Sequence, residues 1–436
     1  MTNVDRLLHI EDIPAAPRAD ARARLPPLDG LRGLIIIVMA LDHANAFIAH
    51  AHPPPELWSM PTAQPADALA FLTRFVTHFA APGFFFLMGA GMALFAASRR
   101  RLGWSEGAIV RHLMLRGFLL IALQLLVENP AWQIGGGPIF TPQVFLSYFG
   151  VLYGLGAALI AGSLLLGLRP AALLGLGLAA TLVTELVIIG VRRAGIAPSP
   201  LAQLLMIPGR SSDFTVYYPL IPWLGVALFG MAFGRWLVRD PARAFRGAAL
   251  IGLALLALFA VLRLPGGFGN LQPAGPGWIG FLNVVKYPPS MVFLALTLGV
   301  DMLLLALLGR REPRTENQEP GPRTENKEQR TKRPKLRTGT RRVNREPHPH
   351  MYGEPSVVAR AKWLAVLGVY GGSPLFFYIA HLYLYGLLGL ALAPREISIP
   401  RMYPFWLLGL AILYPLCQLY GRFKRSREPS SMWRLF

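Results

Sequence analysis

Long apolar segments alternate with short polar ones along most of the chain. Windows of eighteen or more residues without a charged side chain occur at 79–98, 144–168 and 216–234. A helix of about 20 apolar residues crosses the hydrocarbon core of a bilayer, so these windows predict membrane spans. The chain is therefore predicted to fold as an all-α polytopic membrane helix bundle. Its ten predicted spans are residues 31–49, 68–97, 108–128, 142–166, 170–191, 215–236, 247–263, 287–309, 363–393 (broken near Gly371-Gly372) and 403–420.

Polar segments divide the chain into five parts. Residues 1–30 form an N-terminal arm, the membrane bundle occupies 31–309 and 359–421, and residues 422–436 form a basic tail. The insert at 310–358 carries the pentapeptide Pro-Arg-Thr-Glu-Asn twice, among many Lys, Arg, Gln and Pro residues. Such a composition cannot bury an apolar core, so we predict a disordered cytoplasmic insert. Its basic residues allow weak attraction to anionic lipid or RNA, but an inert insert is the simpler interpretation and we expect no specific nucleic-acid partner.

The charges predict how the bundle is oriented in the membrane. The chain is 53% hydrophobic and 15% charged, and it carries a formal net charge of +20. Ten spans put both termini on one side, and 35 of the 43 Lys and Arg residues fall in segments on that side. Lys and Arg accumulate on the cytoplasmic side of membrane proteins, so we predict that both termini are cytoplasmic. The single cysteine, Cys417, excludes an internal disulfide and a cysteine-based metal site.

The first span contains two ionisable residues, Arg32 and His43. Eleven residues of helix separate them, which is about 16 Å along the axis, so we expect Arg32 at one membrane face and His43 near the midplane. A charged or titratable side chain in lipid needs a partner, a cavity or a substrate that offsets its desolvation. Histidine suits proton transfer near neutral pH. The two residues therefore predict a functional site within the first span.

A second histidine, His78, lies in the next span at nearly the same predicted depth as His43. The two imidazoles are therefore able to face one cavity, and both are candidate catalytic residues. Asp42 directly precedes His43, but neighbouring side chains on a helix point about 100° apart. We therefore expect Asp42 to meet Arg74 or another helix rather than to orient His43.

Other histidines have simpler interpretations. His381 lies in a late apolar helix, where an interhelical hydrogen bond explains it as well as a site role does. A metal site made of His43, His50, His52 and His78 lacks carboxylates and a helical His-x-x-x-His pair, so we expect no metal. The chain also lacks the GxGxxG, P-loop, HExxH and GxSxG motifs.

Two groups of segments resemble known membrane families. Leu28-Asp29-Gly30-Leu31-Arg32-Gly33 followed by His43 resembles the Arg-x10-His signature at the start of the acyltransferase-3 membrane proteins. The rest of the chain is more similar to a bacterial family grouped with the heparan-alpha-glucosaminide N-acetyltransferase catalytic domain. The segments that carry this second resemblance are Thr73–Pro82, Tyr218–Gly225, Lys286–Ser290, Pro374–His381 and Tyr414–Cys417.

The resemblance implies transfer of an acyl group, most simply acetyl, across a bacterial inner membrane. The donor and co-substrate is cytosolic acyl-CoA (acetyl-CoA), the acceptor is an extracytoplasmic sugar, glycan or lipid headgroup, and no metal is involved. The essential histidine of the first span maps onto His43, and the arginine that helps to hold the coenzyme maps onto Arg32. Arg74, Asp42 and His381 are further candidate substrate-binding residues.

The catalytic assignment and the function class stay open at this point. The family that the chain resembles includes an animal enzyme. Its active histidine precedes span two in a His-Ala-x-Trp pattern. This chain has His50-Ala51-His52 followed by prolines there, which leaves His43, His78 and His50 as candidates. The alternatives to an enzyme are a transporter, in which Arg32, His43 and His78 form a proton or anion path, and a non-catalytic membrane scaffold. No inverted repeat is evident in the sequence, which counts against a carrier.

Overall fold

The protein is described here by a computed structural model. It describes residues 25–61, 64–65, 67–134, 148–211, 214–310, 355–392, 395 and 397–427, with no side chains described for 355–362. Most of the predicted N-terminal arm, most of the predicted insert and the end of the basic tail lie outside the described residues.

Helices make up most of the described chain. They are α1 (Pro26–Phe47), α2 (Ala68–Phe75), α3 (Ala80–Arg101), α4 (Glu106–Leu123), α5 (Asn129–Ile134), α6 (Val151–Leu164), α7 (Pro170–Ala194), α8 (Pro200–Leu205), α9 (Leu220–Arg239), α10 (Pro241–Arg263), α11 (Gly277–Leu282), α12 (Met291–Leu308), α13 (Pro355–Gly371), α14 (Pro374–Leu392) and α15 (Ile399–Ser426). A 3₁₀ turn at Val76–Phe79 joins α2 to α3, and a π-helical turn at Gln124–Glu128 joins α4 to α5.

A small sheet accompanies the helices. Its strands are β1 (Tyr148–Phe149), β2 (Gly209–Arg210) and β3 (Thr215–Val216), in the order β1-β3-β2. β1 runs parallel to β3 and β2 runs antiparallel to it. The sheet thus connects the residues just before α6 with the segment before α9.

Nine helical segments in the described chain are long and apolar enough to cross a membrane. They are α1, α2–α3, α4–α5, α7, α9, α10, α12, α14 and α15. The shorter apolar helix α6 occupies the position of the fourth predicted span. The predicted break near Gly371-Gly372 is present, because α13 ends at Gly371 and α14 begins at Pro374. The predicted all-α polytopic membrane bundle is confirmed.

Caps and prolines set where the helices begin. The side chain of Asp67 accepts a hydrogen bond from Ala70 N at the start of α2, and Ser290 caps α12 in the same way. Helices α1, α7 and α10 each have proline in the first turn, where the missing N–H is not needed. Pro26 and Pro27 form the first turn of α1, which starts earlier than the predicted span.

The early start of α1 changes the position of its two ionisable residues. Arg32 lies six residues after Pro26, about 9 Å into the helix, whereas His43 lies four residues, about 6 Å, before Phe47. Within α1, His43 is therefore closer to the end of the helix than to its middle.

Close backbone contact joins the start of α1 to the end of α13. A Cβ added at Gly33 would overlap the carbonyl oxygen of Leu367, and one added at Gly371 would overlap that of Asp29. Only glycine permits this approach. The contact brings Arg32 to the junction of α13 and α14, where its Nη1 atom donates to the carbonyl oxygen of Gly371 at 3.1 Å.

The two ends of the bundle differ in chemistry. We call one end the basic end, because a cavity there is lined by Arg32, Arg116 and Lys424. At the opposite end, which we call the aromatic end, four tyrosine rings pack with centroids 5.1 to 5.8 Å apart. They are Tyr148, Tyr217, Tyr218 and Tyr287.

Two segments between helices cover the aromatic end. The backbone N–H groups of Lys286 and Tyr287 donate to the carbonyl oxygen of Glu56 at 3.2 and 3.0 Å, and that of Trp58 donates to the carbonyl oxygen of Tyr287 at 2.9 Å. The buried guanidinium of Arg263 donates to four backbone carbonyl oxygens of the segment between α10 and α12. These hydrogen bonds hold Glu56 and Lys286 against the bundle.

Candidate active site

Two histidines from different helices are in direct contact. The Nδ1 atom of His43 in α1 lies 2.6 Å from the Nε2 atom of His381 in α14, and the rings stack with centroids 4.9 Å apart. The Nδ1 atom of His381 lies 2.9 Å from the carbonyl oxygen of Phe377, one turn earlier in α14. The two side chains are 9% and 0% exposed. The structure thus joins two of the sequence-predicted candidates into one pair.

Aromatic side chains hold the ring of His43 in place. Trp132 and Tyr378 meet it edge-on, with centroids 5.2 and 6.2 Å away, and Phe47 lies at 6.2 Å. The Nε2 atom of His43 has no hydrogen-bond partner among the described residues. One nitrogen of a firmly packed imidazole is therefore left for a substrate.

Arg74 in α2 forms the centre of a buried ionic cluster. Its guanidinium donates to both carboxylate oxygens of Glu56, at 2.8 and 2.7 Å, and to both of Asp42, at 2.7 and 2.9 Å. The hydroxyl of Thr77 also donates to Asp42, at 2.9 Å. The predicted contact between Asp42 and Arg74 is therefore present. Glu56, the second carboxylate that binds Arg74, was not predicted from the sequence.

Glu56 is ionised in this cluster. It lies in the segment between α1 and α2, outside the spans, and its side chain is 3% exposed. Burial alone would raise the pKa of this carboxyl, but the charge of Arg74 and the hydrogen bonds that it donates outweigh burial. The pKa of Glu56 therefore lies well below its usual range.

Two more histidines lie at the edges of the ionic cluster. The Nε2 atom of His78 is 3.2 Å from a carboxylate oxygen of Glu56, and that of His52 is 3.4 Å from one of Asp42. His50, in contrast, is exposed to solvent just after α1. Of the two histidines in the segment before α2, the structure therefore brings His52 to the cluster.

His43 and His78 lie at a similar level but have different neighbours. Asp42 contacts Thr77. His43 follows Asp42 in the chain and His78 follows Thr77, so the two histidines lie at nearly the same height in the bundle. The ring of His43 meets His381, however, whereas that of His78 faces the ionic cluster. The two imidazoles do not form a pair with each other.

Lys286 is a buried ammonium close to the ionic cluster. It is 4% exposed, and it has no carboxylate within 4.0 Å among the described residues. Its charge acts on Asp42 and His43, and its Nζ atom lies 5.1 Å from the ring centroid of Tyr287. It supplies an unpaired positive charge at the aromatic end.

A cavity of about 320 Å³ connects the basic end with the surroundings of His43. Arg32 and Tyr378 both line it, and most of its other lining side chains are apolar. The ring of Tyr378 contacts His43, and its hydroxyl is hydrogen-bonded with Glu128. A ligand that fills this cavity therefore extends from the cationic side chains of Arg32, Arg116 and Lys424 to Tyr378. Tyr378 is the residue that contacts His43.

A second cavity, of about 580 Å³, lies beside the first at the basic end. Both cavities are lined by Gly372 and Lys424. The second one also has Arg422 and Arg425 in its wall. The two cavities together form a basic mouth followed by an apolar passage.

Several site residues were missed because their signal in the sequence is weak. Glu56 follows three prolines in what the pattern predicts as a plain loop, although a buried Arg74 needs a carboxylate partner. Tyr378 is one aromatic residue among many, and its spacing of three from His381 was the only available hint. Lys286 and Glu128 likewise gained their neighbours only through tertiary folding.

The site residues include several of the types that bind metal ions. No group of three or more His, Cys, Asp or Glu residues in the described part of the chain is arranged to hold a metal ion. Asp42 and Glu56 instead bind Arg74.

Much of the chain matches a known protein family. The family model described as heparan-alpha-glucosaminide N-acetyltransferase, catalytic, matches residues 24–264. The match begins just before α1 and ends just after α10, so it contains Asp42, His43, Glu56 and Arg74, while Lys286 and His381 lie beyond it. No curated protein matches the chain. Because the matched region is more than half of the 436 residues, this chain belongs to the heparan-alpha-glucosaminide N-acetyltransferase catalytic family, a family of membrane acetyltransferases.

Proposed function

We propose that this protein transfers an acyl group, most simply acetyl, from cytosolic acyl-CoA to an acceptor on the opposite side of the membrane. One observation carries the proposal. The cavity that begins among Arg32, Arg116 and Lys424 extends to Tyr378, which contacts His43. A thioester that enters from the basic end is thus delivered to a titratable ring.

The basic end is the proposed donor side. Both termini face the cytoplasm of a bacterial inner membrane in this proposal, because most Lys and Arg residues lie in segments on their side. The phosphates of acyl-CoA bind Arg32 and its cationic neighbours through charge-assisted hydrogen bonds. The larger basic cavity suits the nucleotide, and the apolar passage suits the pantetheine arm.

The aromatic end is the proposed acceptor side. Tyrosine rings supply flat surfaces for a sugar, and Asp42, Arg74 and Lys286 supply polar contacts for a sugar, a glycan or a lipid headgroup. These residues lie next to His43 in the structure or act on it electrostatically. The acceptor therefore meets the thioester at the level of the His43 ring.

His43 is the proposed general base. Its Nε2 atom removes the proton from the attacking hydroxyl or amine while the acceptor atom bonds to the thioester carbonyl carbon. The carbon–sulfur bond then breaks, and the leaving CoA thiolate receives the proton from His43. His78, beside Glu56, is the second candidate for this role.

The test uses the full chain in lipid nanodiscs. Calorimetry measures acetyl-CoA binding, and mass spectrometry detects acetylated product after incubation with candidate sugars. We expect His43→Ala to bind acetyl-CoA and to lose transfer. Absence of acetyl-CoA binding by the wild-type protein would overturn the proposal, and solute flux into liposomes without CoA would favour a transporter.

If the loss of transfer appears in His78→Ala instead, the base is His78 and the reaction class stands. This variant leaves the His43–His381 pair intact, because His78 contacts neither ring. The two single variants thus decide between His43 and His78.

A further inference from the structure

We propose that His381 is a positioning residue that keeps the reactive nitrogen of His43 free of a proton. The inference rests on the proposed function, and it concerns a residue outside the matched family region. It follows from a chain of three groups: the carbonyl of Phe377, the ring of His381 and the ring of His43.

The first step is the protonation of His381. A backbone carbonyl oxygen only accepts hydrogen bonds, so the Nδ1 atom of His381, 2.9 Å from the Phe377 carbonyl oxygen, carries a hydrogen. The ring is completely buried, between Phe377, Tyr378 and Tyr385. Such surroundings accommodate the neutral ring, because a buried charge without a partner is strongly disfavoured. The Nε2 atom of His381 is therefore an acceptor.

The second step decides which nitrogen of His43 carries a hydrogen. An acceptor 2.6 Å away requires a hydrogen on the Nδ1 atom of His43. In the neutral ring only one nitrogen carries a hydrogen, so the Nε2 atom of His43 has a free lone pair. His381 thus selects the tautomer that a general base needs, and its lone pair also stabilises the Nδ1–H when His43 becomes an imidazolium during the reaction.

The helices that carry the two rings are held at a fixed distance. A Cβ added at Gly389 in α14 would overlap the carbonyl oxygen of Phe47 at the end of α1. The contact lies about two turns beyond His381 and one turn beyond His43. Together with Trp132, whose edge meets the His43 ring at 5.2 Å, it limits rotation of the imidazole. The geometry is typical of an oriented base rather than of an incidental helix contact.

A kinetic series separates positioning from packing. His381→Gln keeps an acceptor oxygen near the position of Nε2, whereas His381→Phe keeps a flat ring without an acceptor. We expect kcat to fall about 100-fold, the usual scale for general-base catalysis, in His381→Phe, with KM for acetyl-CoA unchanged and with partial recovery in His381→Gln. Equal activities of the Phe variant and the wild type would overturn the proposal, and so would equal losses in the Gln and Phe variants.

A matched control tests helix joining. Tyr385 lies one turn further along α14, is buried and donates a hydrogen bond to the carbonyl oxygen of Trp406 at 2.8 Å. Tyr385→Phe removes this interhelical hydrogen bond and keeps the ring that packs against His381. We expect near-normal kcat. A loss as large as that of His381→Phe would show that interhelical bonding alone is measured and would overturn the positioning role.

A spectroscopic readout keeps this inference separate from the proposed function. A hydrogen between two nitrogens 2.6 Å apart gives a strongly downfield proton NMR signal in protein labelled with ¹⁵N-histidine. We expect this signal in the wild type and its loss in both His43→Ala and His381→Phe, whatever the enzymatic activity. If the signal is present but acetyl-CoA does not bind, the proposed function fails alone. If the signal is absent from the wild type, the positioning inference fails alone.

Discussion

The guanidinium of Arg74 binds the carboxylate of Glu56 through two parallel hydrogen bonds, at 2.8 and 2.7 Å. Both side chains are almost completely buried. Because Glu56 lies between α1 and α2 and its backbone carbonyl also accepts from Lys286 and Tyr287, this pair ties the two covering segments of the aromatic end to the second span. This buried ion pair therefore helps to hold the proposed acceptor side in place.

Removal of the guanidinium should destabilise the protein strongly. In Arg74→Met, Asp42 and Glu56 lose their shared partner, and a buried ion pair that loses one member costs about 3–5 kcal/mol. We expect a large fall in the midpoint of thermal unfolding in detergent. Arg100→Met is the control, because Arg100 pairs with Glu106 at the surface, where such pairs contribute about 1 kcal/mol or less. Similar midpoints for the two variants would contradict this account.

The stability that Glu56 contributes should depend on pH. The pKa of Glu56 is lowered in the folded state, since the charge of Arg74 outweighs burial, so its contribution is present above the unfolded pKa, about 4.3. It is lost as pH falls through the lower folded pKa. We expect Glu56→Gln to unfold at a lower temperature than the wild type at pH 7, with a gap that narrows below about pH 4. A gap that stays constant from pH 7 to pH 3.5 would argue against an ionised Glu56.

The arginine at the mouth of the passage should govern donor affinity. Arg32→Ala removes one phosphate contact, so we expect about a tenfold rise in the Kd for acetyl-CoA, which corresponds to about 1.4 kcal/mol, before any effect on kcat. Calorimetry in nanodiscs measures the Kd. Arg169→Ala is matched for charge and removes an exposed arginine between α6 and α7, outside both basic cavities. If both variants lose affinity equally, general attraction by positive charge explains the effect and the specific role of Arg32 is wrong.

The apolar passage should be blocked by one added side chain. Gly91 lines the cavity, and a Cβ there meets no atom within 4 Å. Gly91→Leu therefore fills the passage without moving the backbone, and we expect acetyl-CoA binding to fall at least tenfold. Gly190→Leu, in α7, is the matched control, since its Cβ position is equally open and lies outside that cavity. Normal acetyl-CoA binding in the Gly91 variant would show that the passage is not the donor site.

The periodic features of the sequence predicted the architecture well. Runs of apolar residues define the long helices, and the break near Gly371-Gly372 follows from a local signal that glycine and proline carry in the chain itself. Helix α1 begins before the predicted span, because proline ends a helix when it is internal but is accommodated in a first turn. The contact between Asp42 and Arg74 is one of the two outcomes that the sequence left open, Arg74 or another helix.

Partners that come from distant segments were beyond such reasoning. His381 was expected either to join helices or to contact substrate, and its hydrogen bond with His43 spans 338 positions of the chain. The acid that completes the Arg74 cluster, Glu56, came from a loop. Local patterns carry no information about which remote polar groups satisfy each other.

The amino-acid sequence by itself determined the membrane bundle, the concentration of positive charge at one end and the presence of ionisable residues inside the spans, because each depends on hydropathy and charge counted along the chain. Only the tertiary structure decided that His43 meets His381, that Arg74 joins two carboxylates and that a cavity leads from Arg32 to Tyr378. Buried polar groups must find partners wherever the fold brings them, and the packing of helices, rather than their composition, selects those partners.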